Sequence, residues 1–181
     1  PSKTVACLFG ILAALASLGS GMLALFSEPV ILTAPTVFWF ADFTLLWNPL
    51  AGLIVVVISL LSVSAWIYGF SYFDEYRGHG VGQIGFYMHL FIISMLLVVL
   101  SDNAFWFLVF FELMSLTSYF LVVFDQTKQS IRGGFMYFVM AHIGFMMIMI
   151  AFFVMAWAAG SFEFSAFRML ELPVGLASVV F

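Results

Sequence analysis

The sequence predicts an all-α polytopic transmembrane helix bundle, with about five complete spans, the start of a sixth and a short hairpin on the outer face. Three observations carry this. Of 181 residues, 65% are hydrophobic and 8% are charged, against about 25% charged in soluble domains. The mean hydropathy is +1.21. Five stretches match the ~20 apolar residues that cross a bilayer. Too little polar material remains to wrap a water-soluble globule, so the lipid bilayer is the expected surrounding and residues 1–181 are expected to form a single membrane domain. The net charge of −4 rests on few groups and points to no nucleic-acid partner.

The spans are expected at about 4–26, 49–73, 83–101, 104–124 and 133–158. The first follows a lone Lys3 and contains Ala14-Leu15-Ala16, a peptidase-like pattern. Its apolar character runs on to Phe26, and Ala13, Ser17 and Gly21 recur every fourth residue, so it reads as a retained, closely packed membrane helix. Asn48-Pro49 reads as a cap followed by proline at the first helical position of the second span. Polar or turn material separates the others: DEYRGHGVG, SDN and DQTKQSIR, with Gly160 and Ser161 closing the fifth. Between the first two spans, TVFWFADFTLLW is rich in β-branched and aromatic residues and suggests the hairpin. Trp39 and Trp47 read as headgroup anchors. The tail offers a short amphipathic piece at about 162–171, then a fresh apolar run after Pro173 that reads as the start of a sixth span in a longer protein.

Lys3, Arg77, Lys128 and Arg132 fall on one side if the helices alternate, with Arg168 alone on the other. The N-terminus is therefore expected on the cytoplasmic side. Cys7 is the only cysteine and reads as a packing residue; the methionines of the fifth span read as packing filler. There is no Cys/His cluster with metal spacing and no glycine-rich phosphate loop, so neither metal nor cofactor is expected.

Glu112 is the anomaly. It lies within FWFLVFFELMSLTSYFLVVF, about 12 Å from the outer end of its helix and about 18 Å from the inner end. A charge at that depth costs at least ~2.5–3.5 kcal/mol. The carboxyl group must stay protonated or find a cation, and either response makes it sensitive to its surroundings, as a proton carrier must be. Ser115 and Tyr119 follow on the same side of the helix, with Ser118 at its edge. Serine and threonine hydroxyls here either hold water and protons or bond back to their own helix carbonyls. His142 lies about 13 Å into the fifth span and His89 about 9 Å into the third. Each is a candidate relay group or a satisfied structural imidazole. His79 and the Asp74, Glu75, Arg77 patch read as solvated loop.

At these residues a resemblance enters. WFLVFFELMSLTSYFLVVF resembles the glutamate-bearing helix of the antiporter-like proton-translocating membrane subunits, a family spanning respiratory complex I, multisubunit sodium/proton antiporters and energy-converting hydrogenases. SIRGGFMYFVMAHIGF and AAGSFEFSAF resemble the following helix and its exit, and LLWNPLAGLIVVVISLLSVSAWIYGFSYFDEY a preceding one. Within the family the sequence is most similar to the large membrane subunit of formate-hydrogenlyase-type complexes. The resemblance implies a bacterial inner-membrane subunit of about fourteen helices that itself does no redox chemistry and works beside other membrane and peripheral subunits. It implies a proton-translocation role for Glu112, with Ser115, Tyr119, His142 and His89 in support. It also implies an absent first helix and a partner lysine beyond Phe181. Many members have aspartate where Asn48 stands, and several have arginine or another polar residue near His142 and aspartate near Phe145. A sodium/proton antiporter subunit and a structural scaffold are the competing readings.

Overall fold

The computed structural model describes residues 2–35, 41–75 and 81–170. Helix α1 (Ser2–Phe26) leads to an antiparallel pair, β1 (Val30–Ala34) and β2 (Phe43–Trp47). Helices α2 (Pro49–Glu75), α3 (Val81–Leu100), α4 (Ala104–Val122), α5 (Lys128–Ala159) and the short α6 (Phe164–Arg168) follow. The five long helices are each long and apolar enough to cross a membrane. Trp39, the loop with Arg77 and His79, and the run after Pro173 lie outside the described residues.

Local signals set several helix ends. The Asn48 side-chain oxygen accepts from the Ala51 N–H at 2.8 Å and caps α2 ahead of Pro49. Gly160 takes a left-handed conformation (φ 71°) that closes α5. The start of α5 is five residues earlier than expected, because Thr127 caps it by accepting from the Ser130 N–H at 3.0 Å. The polar DQTKQSIR segment thus supplies the first helical turn as well as the turn before it.

The hairpin forms in the loop between the first two spans. Residues 30–34 (VILTA) pair with 43–47, Val30 opposite Trp47 and Ala34 opposite Phe43. Val30, Ile31 and Thr33 are β-branched and suit a pleated strand, and Pro35 ends it.

Small residues dictate the tightest packing. Gly21 lies so close to α2 that a Cβ would come within 3.0 Å of the Gly52 carbonyl oxygen, and the Ser17 and Ser59 hydroxyls meet at 2.7 Å. Ala14 is buried and Ala13 exposed, so the α1 stripe is Gly10, Ala14, Ser17, Gly21 and Ala24 rather than a strict fourth-residue repeat. Alternating steps of four and three keep a left-handed crossing in register. At Gly10 the absence of a side chain admits the Trp66 indole, which is 1% exposed.

The outer ends of the bundle are tied by backbone. Leu45 bridges Ser101, and Asn103 bridges Glu163. The Asp102 N–H donates to the Thr44 carbonyl at 3.0 Å and the Ala104 N–H to the Phe162 carbonyl at 2.8 Å. Hairpin, α3–α4 turn and α5 exit therefore share one end of the molecule, as alternating spans require.

Gly10→Val forces Trp66 out of its seat and should destabilise the full-length protein by about 1–3 kcal/mol. It is read as a lower thermal midpoint in detergent. Gly19→Ala, whose Cβ meets nothing within 4 Å, should leave the midpoint unchanged or slightly raised. Equal midpoints for Gly10→Val and the parent would contradict this packing.

Candidate functional site

The α4–α5 interface is where the Glu112 carboxyl group finds its partner. Asn103 is 1% exposed, and its side-chain oxygen accepts from the Phe105 N–H at 3.0 Å, which fixes the start of α4. Nine residues on, Glu112 faces α5. Its Oε1 lies 2.6 Å from the Nε2 of His142. At the lower end of this interface Gly134 gives α5 its close approach, since a Cβ there would overlap Val123.

The second imidazole nitrogen decides where protons are. His142 Nδ1 is 3.0 Å from the Phe138 carbonyl oxygen. A carbonyl only accepts, so Nδ1 carries a hydrogen and donates it. In a neutral ring Nε2 is then a bare acceptor. A 2.6 Å approach between that nitrogen and a carboxyl oxygen requires a proton on the line between them. The pair holds it either as carboxylic acid with neutral imidazole or as carboxylate with imidazolium. Both arrangements have zero net charge, and they differ only in which atom carries the hydrogen.

The surroundings are aromatic. The Phe138 ring lies tilted against the His142 ring with centroids 3.9 Å apart, and Phe145 stacks on Phe111 at 6.2 Å. The Glu112 side chain is 33% exposed and that of His142 25%, so the pair sits at the rim of the interface. Glu112 Oε2 is buried and has no hydrogen-bond partner among the described residues.

The other sequence candidates are placed unevenly. Tyr119 sits on the same interface, its ring 5.1 Å from Phe138. Ser115 is buried at 4% exposure on α4. Thr117 and Ser118 bond back to their own helix, Thr117 to Leu113 and Met114 and Ser118 to Ser115. Ser118, having spent its hydrogen, accepts one from the Tyr137 hydroxyl at 2.5 Å. Tyr137 is a polar link between α4 and α5 that the sequence reading missed; it lies five residues before His142, but nothing in the sequence aims its ring at Ser118. His89 keeps different company. Its ring lies 4.3 Å from Trp66 and 5.6 Å from Phe9, its Nδ1 donates to the Gly85 carbonyl at 2.7 Å, and its buried Nε2 has no hydrogen-bond partner among the described residues. Among the described residues, no three His, Cys, Asp or Glu side chains are gathered as metal ligands.

At the outer end, burial pushes the Asp102 carboxyl above its ordinary pKa of 3.8; Arg168 pulls it back and Glu163 raises it further. The folded chain therefore binds this proton more tightly than the unfolded chain. Stability falls as pH rises from the ordinary value through the folded-state value, and stays lower above it. Asp102→Asn should melt higher than the parent at neutral pH. The gap should close below about pH 4, as thermal midpoints at the two pH values would register; a gap that widens in acid would contradict the assignment.

Comparison with known proteins places these features. Residues 101–179 match the NADH:quinone oxidoreductase/Mrp antiporter transmembrane family. The chain is 50% identical over 144 residues to hydrogenase-4 component B of Escherichia coli (strain K12), covering 80% of this chain and 21% of that protein. It is 32% identical over 126 residues to the chloroplastic NAD(P)H-quinone oxidoreductase subunit 5 of Anthoceros angustus, covering 68% of this chain and 17% of that one. The chain thus spans about a fifth of the length of these curated relatives. Its fold is that of a chain in the archaeal membrane-bound sulfane sulfur reductase, a respiratory membrane complex, with a TM-score of 0.81 at 17% identity over 98% of this chain and 36% of the other. The Mrp complex from Dietzia sp. DQ12-45-1b gives 0.76 at 22% identity over 99% and 21%. With five membrane-length helices and this kinship, the chain is an integral membrane protein.

Proposed function

From the premise that residues 101–179 belong to the NADH:quinone oxidoreductase/Mrp antiporter transmembrane family, we propose that the chain is part of a proton-translocating membrane subunit of a complex-I-like, formate-hydrogenlyase-type hydrogenase assembly. The 50% identity to hydrogenase-4 component B supports that assignment. It performs no redox step itself. Peripheral and membrane partner subunits carry the electrons, and their redox state shifts the charge environment at Glu112. The assembly lies in a bacterial inner membrane with Lys128 and Arg132 on the cytoplasmic side, by the positive-inside rule.

The observation that carries this reading is the 2.6 Å approach of Glu112 Oε1 to His142 Nε2, with His142 Nδ1 on the Phe138 carbonyl. The resting pair is neutral and stable in hydrocarbon. Adding a proton makes it a cation and removing one makes it an anion, and either charge costs ~2.5–3.5 kcal/mol or more at that depth. A cation brought near from elsewhere in the subunit offsets the anion and expels the proton; withdrawing the cation draws a proton back. Tyr119, against the Phe138 ring that packs on His142, and the buried Ser115 support the pair. His89 stands on the inner side as a candidate uptake group, its Nε2 uncommitted.

Sodium as cargo has less in its favour. Sodium sites in transporters draw on carbonyls freed by broken helices, and α4 and α5 run unbroken through Glu112 and His142.

Glu112→Gln and His142→Phe should each assemble and each abolish most redox-driven proton uptake by vesicles containing the whole complex. The double variant should be no worse than Glu112→Gln alone, because the two residues act as one unit. Unchanged uptake in Glu112→Gln overturns the reading. Lost assembly with unchanged uptake per complex assigns the pair a scaffold role instead.

A further inference from the structure

A single point of contact lets two helices pivot about it. Glu112 Oε1 and His142 Nε2, 2.6 Å apart, are one such point between α4 and α5. We propose that the hydrogen bond between Tyr137 and Ser118 is a second, and that it makes Tyr137 a positioning residue for proton exchange at the pair. The inference rests on the proton-carrying role of Glu112 and adds what holds its partner in place.

Spacing along the two helices supports this. Ser118 lies six residues after Glu112 on α4, and Tyr137 lies five residues before His142 on α5. At ~1.5 Å per residue these are steps of about 9 Å and about 7.5 Å along antiparallel axes. The contacts thus stand as rungs at nearly matched heights, the Tyr137 rung nearer the turn that joins the helices. Their separation is well beyond the ~3 Å reach of a hydrogen bond. Tyr137 therefore acts by holding the helices and not by handing a proton to His142.

The rung is directional. The Ser118 hydroxyl donates its one hydrogen to the Ser115 carbonyl at 2.9 Å. Its oxygen then accepts from the Tyr137 hydroxyl at 2.5 Å. The acceptor is fixed by its own helix, and the donor sits on a rigid ring with few torsions. Lipid tails compete with apolar contacts between helices, and interhelical hydrogen bonds are among the forces that fix their register.

What the rung holds lies beside it. Phe138 follows Tyr137. Its carbonyl accepts from His142 Nδ1 at 3.0 Å, and its ring centroid lies 3.9 Å from that of the imidazole. Tyr119 follows Ser118 and meets the same Phe138 ring at 5.1 Å. Fixing Ser118 against Tyr137 therefore fixes the carbonyl and the ring that orient His142. Without the rung, a small turn of α5 takes Nε2 out of hydrogen-bond range of Oε1. Tyr137 is 40% exposed, so loss of its hydroxyl opens no cavity in the protein core.

The test uses the full-length protein in its complex, isotopically labelled at the histidine nitrogens and reconstituted in vesicles. Tyr137→Phe and Ser118→Ala should each assemble. Each should move the His142 Nε2 signal in solid-state NMR the same way as Glu112→Gln, though less far, and leave Nδ1 in place. Each should lower redox-driven proton uptake about tenfold, because misplaced reacting groups lose rate steeply. The double variant should be no worse than either single one. Ser118→Thr, which keeps the acceptor oxygen, should stay near the parent level. So should Tyr87→Phe, which removes a hydroxyl from an α3 ring stacked on Phe120. A role in assembly alone would leave the Nε2 signal and the uptake per complex unchanged. Parent-like Nε2 signals or parent-level uptake in both Tyr137→Phe and Ser118→Ala overturn the positioning role. Abolished uptake in Glu112→Gln beside that result leaves the role of Glu112 standing; intact uptake in Glu112→Gln overturns both.

Discussion

A charge in hydrocarbon has to be cancelled within a few ångströms or not exist, and the α4–α5 interface is organised around that demand. Among the described residues Glu112 meets it with His142. The choice matters chemically. A guanidinium would hold the carboxylate permanently ionised and paired. An imidazole whose Nδ1 is committed to the Phe138 carbonyl is a switchable partner: it accepts the proton or leaves it on the acid, and the pair stays neutral either way. Neutrality at rest and a steep cost for both neighbouring charge states give a site that changes occupancy only when an outside charge moves.

That pairing depends on two helices meeting at one rotation and one height. The outer end supplies the height, through the Asn103–Glu163 bridge and the bond from the Ala104 N–H to the Phe162 carbonyl. Lower down, Gly134 lets Val123 approach α5 closely. The hairpin has a part in this, since β2 holds the α3–α4 turn through Leu45 and Thr44. A small β element outside the spans thus helps set the position of a carboxylate several turns inside them.

The membrane spans and their ends were legible because they rest on composition and local chemistry. Asn48-Pro49 and Gly160 act where they stand, whatever surrounds them. That Glu112 and His142 lie inside the fourth and fifth helices was legible for the same reason. Their contact was not, because depth along two separate helices says nothing about their rotation about their axes. The α1 stripe shows the same limit: a fourth-residue repeat at Ala13, Ser17 and Gly21 was visible, but packing on α2 selects Ala14 and Gly10 in steps of four and three. The hairpin was legible, but its strand bounds were not, because β-branched residues are spread from Val30 onward and only pairing with Phe43–Trp47 selects 30–34. His89 was readable as a mid-helix imidazole; its seat on Trp66, made possible by Gly10, depends on three helices at once.

The site depends on one hydrogen lying between Oε1 of Glu112 and Nε2 of His142 while Nδ1 keeps its own. Solid-state nitrogen NMR of the full-length protein, labelled at histidine and assigned with a His142→Phe control, observes both ring nitrogens directly. The expected spectrum has a protonated Nδ1 and an Nε2 signal shifted by a strong hydrogen bond, and Glu112→Gln moves the Nε2 signal while leaving Nδ1 in place. A bare Nδ1 in the parent protein, or an Nε2 signal indifferent to Glu112→Gln, would contradict it.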